Sequence, residues 1–283
     1  TLCACKAGCA MTKVLVLGCG YAGREIARLA RTRGFEVVTT VRDPARALAL
    51  RSEGFEVVQA ATLEPEIARL ADDETHVVVT FPPDGATDQR IAPHLRHAQA
   101  LTYVSSTGVY GDHSGTIDDA TPLPTSRSER VARLLSGEDA WRAQGACVLR
   151  CPALYGPDRG LHARVLAGKH QIPGDGSRMI SRIHIADLAQ LVLAAGAEAI
   201  RKRGETFVVG DLQPAPHIEV VRFICRTFGV PLPPSSPLEA APESHRVDRK
   251  VDGSRALRVL GVQLRFPTYR EGMSSANVQT PGA

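Results

Sequence analysis

The pattern Gly18-x-Gly20-x-x-Gly23 narrows the fold more than any other stretch, because of what flanks it. Before it, Lys13–Leu17 reads Lys-Val-Leu-Val-Leu, a short apolar run of the kind that forms a buried strand. After it, residues 24–33 carry Ile26, Ala27, Leu29 and Ala30 on one helical face, and Gly34 closes the run. Strand, glycine turn and helix in this order make the entry of a dinucleotide-binding unit. The first glycine permits the tight turn, the second lets a pyrophosphate approach the backbone, and the third lets helix and strand pack closely. Gly18, Gly20, Tyr21, Ala22 and Gly23 are therefore the expected phosphate-facing residues.

The alternation continues. Strands are expected at residues 35–41, 55–58, 76–80, 101–105 and 146–150, and helices at 44–50, 67–70, 91–100 and 131–144. Several strands are nearly continuous Val/Leu runs, which a sheet covered on both faces requires. Beyond Tyr155 the texture changes to a Gly- and His-containing stretch, a strand end with an alanine-rich helix at 183–195, and a short strand at 206–209. A helix at 214–228, a Pro/Ser-rich loop at 230–242, and a short helix with an extended tail in 252–272 follow. The fold class is α/β, a Rossmann-type doubly wound parallel sheet with a small C-terminal cap. Residues 1–10 are expected outside the fold, 11–210 as the nucleotide domain with a cap insertion at 156–180, and 211–283 as the C-terminal cap or substrate region.

The end of the second strand selects the cofactor. An NAD site places Asp or Glu there for the ribose 2′-OH, about 20 residues past the glycines. Here the strand ends Thr39-Thr40-Val41-Arg42, with Arg46 one helical turn on. Arg42 suits a 2′-phosphate, so NADP is preferred over NAD, although Asp43 offers NAD a carboxylate.

Composition excludes other classes. A net charge of +4 spread over 283 residues, with no basic run, argues against nucleic acid. No apolar run reaches the roughly 18–20 residues of a membrane span. Residues 1–10 lack the apolar core of a secretory signal. Cys19, Cys147, Cys151 and Cys225 sit in apolar surroundings, which fits free thiols in the cytoplasm. Cys3, Cys5 and Cys9 match no zinc spacing, so no metal is expected. The partner expected is a small molecule; an oligomer stays open.

Further motifs line up in order. They are Val104-Ser105-Ser106-Thr107-Gly108-Val109-Tyr110-Gly111, then Leu149-Arg150-Cys151-Pro152-Ala153-Leu154-Tyr155-Gly156-Pro157, then Ile183-His184-Ile185-Ala186-Asp187-Leu188-Ala189. Glu205–Gly210 and Arg249–Ser254 complete the series. With the glycine loop they resemble the extended short-chain dehydrogenases, the NAD-dependent epimerase/dehydratase superfamily, over roughly residues 12–272. The resemblance implies a nicotinamide cofactor. It places Ser105 and Pro152 beside it, and Ser106 and Tyr155 near the reacting atoms as the catalytic candidates.

The departures from that superfamily are equally informative. Its working pair is Tyr-x-x-x-Lys on the helix after the fifth strand, and this chain has neither residue type between Gly111 and Leu154. Arg130 and Leu134 fall at those places, and arginine is no proton donor near neutral pH. The glycine loop is also one residue shorter than the usual extended pattern. Two functions follow: an oxidoreductase or epimerase on a small carbonyl or sugar nucleotide with an atypical site, or an NADP-binding redox sensor or assembly partner without turnover. A His184–Asp187 catalytic pair is conceivable, but a dipole-favoured aspartate at a helix start explains the same residues. His162, Arg159, Arg164 and Lys169 make either an anion site or a solvated basic loop.

Overall fold

The computed structural model describes residues 11–197 and 204–274. The cysteines at 3, 5 and 9 and the expected extension at 1–10 lie outside the described residues. Among those described there is no group of three or more metal-ligating side chains, and no helix long and apolar enough to cross a membrane.

Seven strands form one sheet. They are β1 (Lys13–Leu17), β2 (Glu36–Val41), β3 (Glu56–Gln59), β4 (Thr75–Val79), β5 (Ala100–Ser106), β7 (Cys147–Cys151) and β12 (Thr206–Val208), in the order β12-β7-β5-β4-β1-β2-β3. The pairings among β1 to β5 are parallel, with Val14 opposite both Val37 and His76. The order reverses at β1, which lies in the sheet interior, so the sheet is the doubly wound type expected. Helix α1 (Tyr21–Thr32) follows β1, and α2 (Pro44–Ser52) follows β2.

The chain divides into two compact units. The first holds the described residues through Ser105 with Arg133–Leu149 and those of 192–205; the second holds Ser106–Ala132, Arg150–Leu191 and the residues from Thr206 on. The first unit's core joins Leu15, Leu17, Val77, Val79 and Leu101 of the sheet to Ile91, Leu95 and Trp141. The Trp141 indole donates to the Asp88 carboxylate at 2.7 Å. Gly137 sits within α4 (Glu129–Arg142), where a Cβ would come within 2.7 Å of the Tyr103 hydroxyl, so close approach explains a glycine in a helix interior.

Two expectations are corrected here. The helix expected over 91–100 is instead α3 (Thr87–Ile91) and a 3-10 turn at Ala92–Leu95, and the chain is already in β5 at Ala100. Pro93 lacks the N–H that an α-helix needs at that point. The extended tail expected before 272 contains a second helix, Tyr269–Ser274, which buries Tyr269 and Met273.

Short strands tie the second unit together in pairs. These are β6 (Gly115–Ile117) with β15 (Arg249–Val251), β8 (Ala153–Tyr155) with β11 (Arg182–His184), β9 (Ile172–Pro173) with β14 (Ser235–Ser236), and β10 (Met179–Ile180) with β13 (Ala215–Pro216). Its core gathers Tyr155, Val165, Ile172, Val220, Ile224, Tyr269 and Met273 around the helix His217–Phe228. The helices α5 (Leu161–Leu166) and α6 (Ile185–Ala195) complete the labelled elements.

His76 makes the first unit acid-sensitive. It is fully buried on β4, its Nε2 lies 2.8 Å from the Thr102 hydroxyl, and burial pushes its pKa from 6.5 down to about 4. The unfolded chain binds this proton first as pH falls. Stability is therefore complete above the unfolded value and is lost progressively between about pH 6.5 and 4. We expect urea unfolding to show that loss, up to about 3 kcal/mol from this residue, and His76→Gln to flatten the slope over the same window. An unchanged slope in the variant contradicts the assignment.

Candidate active site

The site begins at the end of β1. Gly18 has φ +82°, and a Cβ there would stand 2.6 Å from the Phe81 Cβ, so conformation and space both demand glycine. The Gly18 N–H donates to the Thr40 hydroxyl at 2.9 Å, and the Thr80 hydroxyl donates to the Gly18 carbonyl at 2.8 Å. The turn is thus pinned to the ends of β2 and β4 on either side. Gly23 lies in α1 against Val16 and Thr80, each 2.9 Å from where a Cβ would be. Gly20 is different: nothing comes nearer than 3.8 Å to its absent Cβ, which leaves open the face a pyrophosphate needs. Tyr21 and Ala22 open α1, whose N-terminus carries no side-chain cap and no acidic residue in its first turn. That is the arrangement of an anion-binding helix start.

At the end of β2, Asp43 caps α2 by accepting the Arg46 N–H at 2.7 Å. The Arg42 and Arg46 side chains are exposed, and neither guanidinium has a hydrogen bond or ion pair among the described residues. An Arg46 Nη lies 3.8 Å from the position of a Cβ on Gly20. Ser105, the last residue of the first unit in β5, is buried and donates to the buried Glu138 carboxylate at 2.6 Å.

The second unit contains a cavity of about 700 Å³. Ser106, Arg130, Pro152 and Tyr155 all line it, so residues from three separate segments of the chain share one cavity. Ser106 starts a 3-10 turn, its Oγ accepting the Gly108 N–H at 3.0 Å. Arg130, in the first turn of α4, is half-buried and has no hydrogen bond or ion pair among the described residues. The lining is basic: Arg130, Arg159, Arg164, Lys169, Arg182 and Arg249 stand against Asp158 and Glu243.

Tyr155 is 2% exposed. Its hydroxyl donates to the Thr268 carbonyl at 3.4 Å, and burial, with the Asp211 charge behind it, pushes its pKa up. His184 and Asp187 do not pair. The Asp187 carboxylate accepts the backbone N–H groups of Arg265 at 2.6 Å and Phe266 at 3.0 Å, while the His184 ring packs on Phe266 at 3.9 Å. His162 is buried behind the wall rather than on it, with Nε2 3.3 Å from the Pro157 carbonyl. Sequence reasoning missed Arg249, and also His170 and His217, whose Nε2 atoms meet at 2.9 Å on the cavity wall. These residues lie on a three-residue strand, a loop and a helix start, and no local pattern marks them as convergent.

A family model described as the NAD dependent epimerase/dehydratase family matches residues 14–210. The chain belongs to that family. Its cofactor is accordingly a nicotinamide dinucleotide, and oxidoreductase or epimerase chemistry is the family's range. The 3-diazoavenalumate denitrifying reductase of a Streptomyces species is 28% identical over 311 residues, covering 92% of this chain and 99% of the relative. Protein YeeZ of Escherichia coli K12 is also 28% identical, over 63% of this chain and 70% of its own. A conserved protein of unknown function from Silicibacter pomeroyi has a solved structure with TM-score 0.80 and 28% identity, covering 94% of this chain and 98% of that one.

The glycine loop supplies a test that separates fold from binding. Gly18→Ala forces a Cβ into Phe81 at a positive φ and should lower the melting temperature by several degrees, a cost of about 1–3 kcal/mol. Gly20→Ala meets open space, so its melting temperature should stay near wild type while NAD(P) affinity falls. Calorimetry and thermal melts on the two variants check both, and a Gly20→Ala protein that binds cofactor normally contradicts the reading.

Proposed function

We propose that the chain is an NADP-preferring reductase of a small molecule seated in the second unit's cavity. The observation that carries this reading is Arg130: a guanidinium on the cavity wall with no hydrogen bond or ion pair among the described residues, at the place where the resemblance expects the proton-transferring tyrosine. Epimerases and dehydratases of this kind take a proton from an alcohol and later return one. A guanidinium does neither near neutral pH. Reduction is less demanding, because hydride leaves the dihydronicotinamide and bonds to the acceptor, and only the reduced acceptor then needs stabilising.

The Streptomyces relative supports the same direction, since its name describes a reductase that acts on a diazo compound and removes nitrogen. Hydride added to the terminal diazo nitrogen gives a diazene, whose C–N bond then breaks to release neutral dinitrogen while the N–H hydrogen passes to the carbon as a C–H bond. Such a step makes no alkoxide for a tyrosine to protonate. An activated acceptor of this type fits the cavity's chemistry better than a sugar hydroxyl.

Ser106 is the residue proposed to touch the acceptor, as a hydrogen-bond donor, and Pro152 to border the nicotinamide. Tyr155 was the other catalytic candidate. Its hydroxyl is committed to a backbone carbonyl and its proton is held more tightly than a free phenol's, so its proposed part is a wall. Ser105 is proposed to support Ser106 from the strand, through its bond to Glu138. Cytoplasmic placement rests on the free buried thiols Cys19, Cys147 and Cys151.

NADP preference rests on the exposed Arg42 and Arg46 side chains and on Asp43, whose carboxylate is committed to capping α2. Arg42→Ala and Arg46→Ala should each weaken NADP(H) by about 1.5–3 kcal/mol, the scale of a hydrogen bond to a charged group. NAD(H) should change little in either. Titration calorimetry with both cofactors checks this, and equal losses for the two cofactors contradict it.

A second reading, an NADP-binding protein without turnover, is favoured by the lack of a tyrosine and a lysine on α4. NADPH oxidation separates the two. With an aromatic diazo carboxylate and a panel of activated carbonyls, we expect turnover within the ordinary range of about 1–1000 per second. Ser106→Ala should reduce it by about 10²-fold. Cofactor binding without oxidation across the panel supports the second reading.

A further inference from the structure

We propose that Arg130 and Arg249 form a seat for an oxyanion, a carboxylate or phosphate carried by the ligand, beside Ser106 in the second unit's cavity. The reductase reading enters only in identifying that ligand as the substrate.

Arg249 is the fixed half of the seat. It lies on β15, which runs parallel to β6 with Arg249 opposite Gly115, and the Gly115 N–H donates to the Asp248 carbonyl at 2.8 Å. Its guanidinium spends one N–H on each of three carbonyls: Thr107 and Gly111 at 2.7 Å and His113 at 3.0 Å. These bonds span the turn that begins at Ser106, so one side chain holds the serine's segment and lines the cavity. Three of the five donors are used, which leaves one N–H on each terminal nitrogen.

Arg130 is the open half. It is half-buried on the same wall, and no hydrogen bond or ion pair holds its guanidinium among the described residues. Among the described residues neither arginine has a carboxylate within ion-pair distance, although Asp158 and Glu243 line the same cavity. Burial first, and then the Arg130 charge, push the Arg249 guanidinium below its ordinary pKa, with Tyr110 and the Asp112 carboxylate opposing them in part. Two cations that raise each other's energy in a partly desolvated cavity are relieved by an anion placed between them. Guanidinium forks match the paired oxygens of carboxylates and phosphates. Because Arg249 is anchored by backbone carbonyls, its half of the seat is organised before the ligand arrives, and the ordering cost of binding falls on Arg130.

The seat also gives Arg130 a purpose that proton transfer cannot. A permanent charge is of no use as an acid, but it is well suited to fix a ligand whose oxyanion persists through the reaction. The ligand would then be held by its anionic end beside Ser106, with its reacting group presented at a set distance from that end.

The test uses the full chain with NADP+ held saturating, and follows binding by ligand-observed NMR. The probes are cinnamate, methyl cinnamate and phenyl phosphate. We expect at least one of the two anions to bind, and the neutral ester to bind about tenfold or more weakly, the loss of a charge-assisted hydrogen bond. Arg130→Gln should erase the difference between acid and ester, and a thermal melt near that of the wild type shows that the variant is folded, since the half-buried Arg130 side chain has no hydrogen bond or ion pair among the described residues to lose. Tighter binding of cinnamate than of phenyl phosphate assigns the seat to a carboxylate; the reverse assigns it to a phosphate. An ester that binds as well as the acid, an acid–ester difference that survives in Arg130→Gln, or no binding of either anion overturns the proposal. NADPH oxidation that persists in any of those cases leaves the reductase reading standing and removes the seat alone.

Discussion

The close approach at the C-terminal end of β1 is the constraint on which the first unit depends. Gly18 turns at positive φ with no room for a Cβ against Phe81, and it is bonded through Thr40 to the end of β2 and through Thr80 to the end of β4. Three neighbouring strands therefore end at one residue. Gly23 then lets α1 lie directly on Val16 and Thr80. With the turn fixed in this way, the free N–H groups of α1 and the open face of Gly20 are directed to one place, where an anion is the natural occupant. The same residues thus serve stability and binding, but not equally: Gly18 and Gly23 are packed, and Gly20 is open.

The second unit solves a different problem. Its strands are two or three residues long, too short to supply a sheet core, and it is held by paired strands, by the helix His217–Phe228 and by side chains that bond backbone. Arg249 is the clearest case, one guanidinium replacing what a longer strand would do with several ladder bonds. Asp187 does the same for Arg265 and Phe266, which is why it is no partner for His184. Arg249 is also one of six basic side chains on the cavity wall, and that surplus is what the proposed anionic ligand rests on.

Between Gly111 and Leu154, where the resemblance expects a tyrosine and a lysine, the chain has neither residue type, and the proposed chemistry starts from that. A positioned phenol that exchanges a proton serves reactions that run through alcohols. The arginine proposed to stand at its place brings a permanent charge and no proton to exchange near neutral pH. The burial of Tyr155, with its hydroxyl on Thr268, removes the other phenol near the cavity from that duty. The serine hydroxyl and fixed positive charge on the cavity wall are the basis of the proposed hydride delivery to an acceptor that is already activated.

The sequence alone determined the first unit almost completely. Glycine spacing, Val/Leu runs and helical faces are local signals, and each strand from β1 to β5 lies within a residue or two of where its pattern places it. They also supplied the cofactor class and singled out Arg42, Ser106 and the unusual Arg130. Local pattern failed where backbone chemistry outweighed it, as at Pro93, and where an element was too short to have a period, as in β6 and β15. Only the tertiary structure decided which side chains share a cavity. Arg249 is more than a hundred positions from Arg130 and a still longer way from Ser106, and no spacing rule joins them; parallel pairing of two three-residue strands does. It also decided that Tyr155 and Asp187 are spent on backbone partners, because a side chain's availability depends on which donors and acceptors the fold brings beside it, and that is a property of packing rather than of sequence.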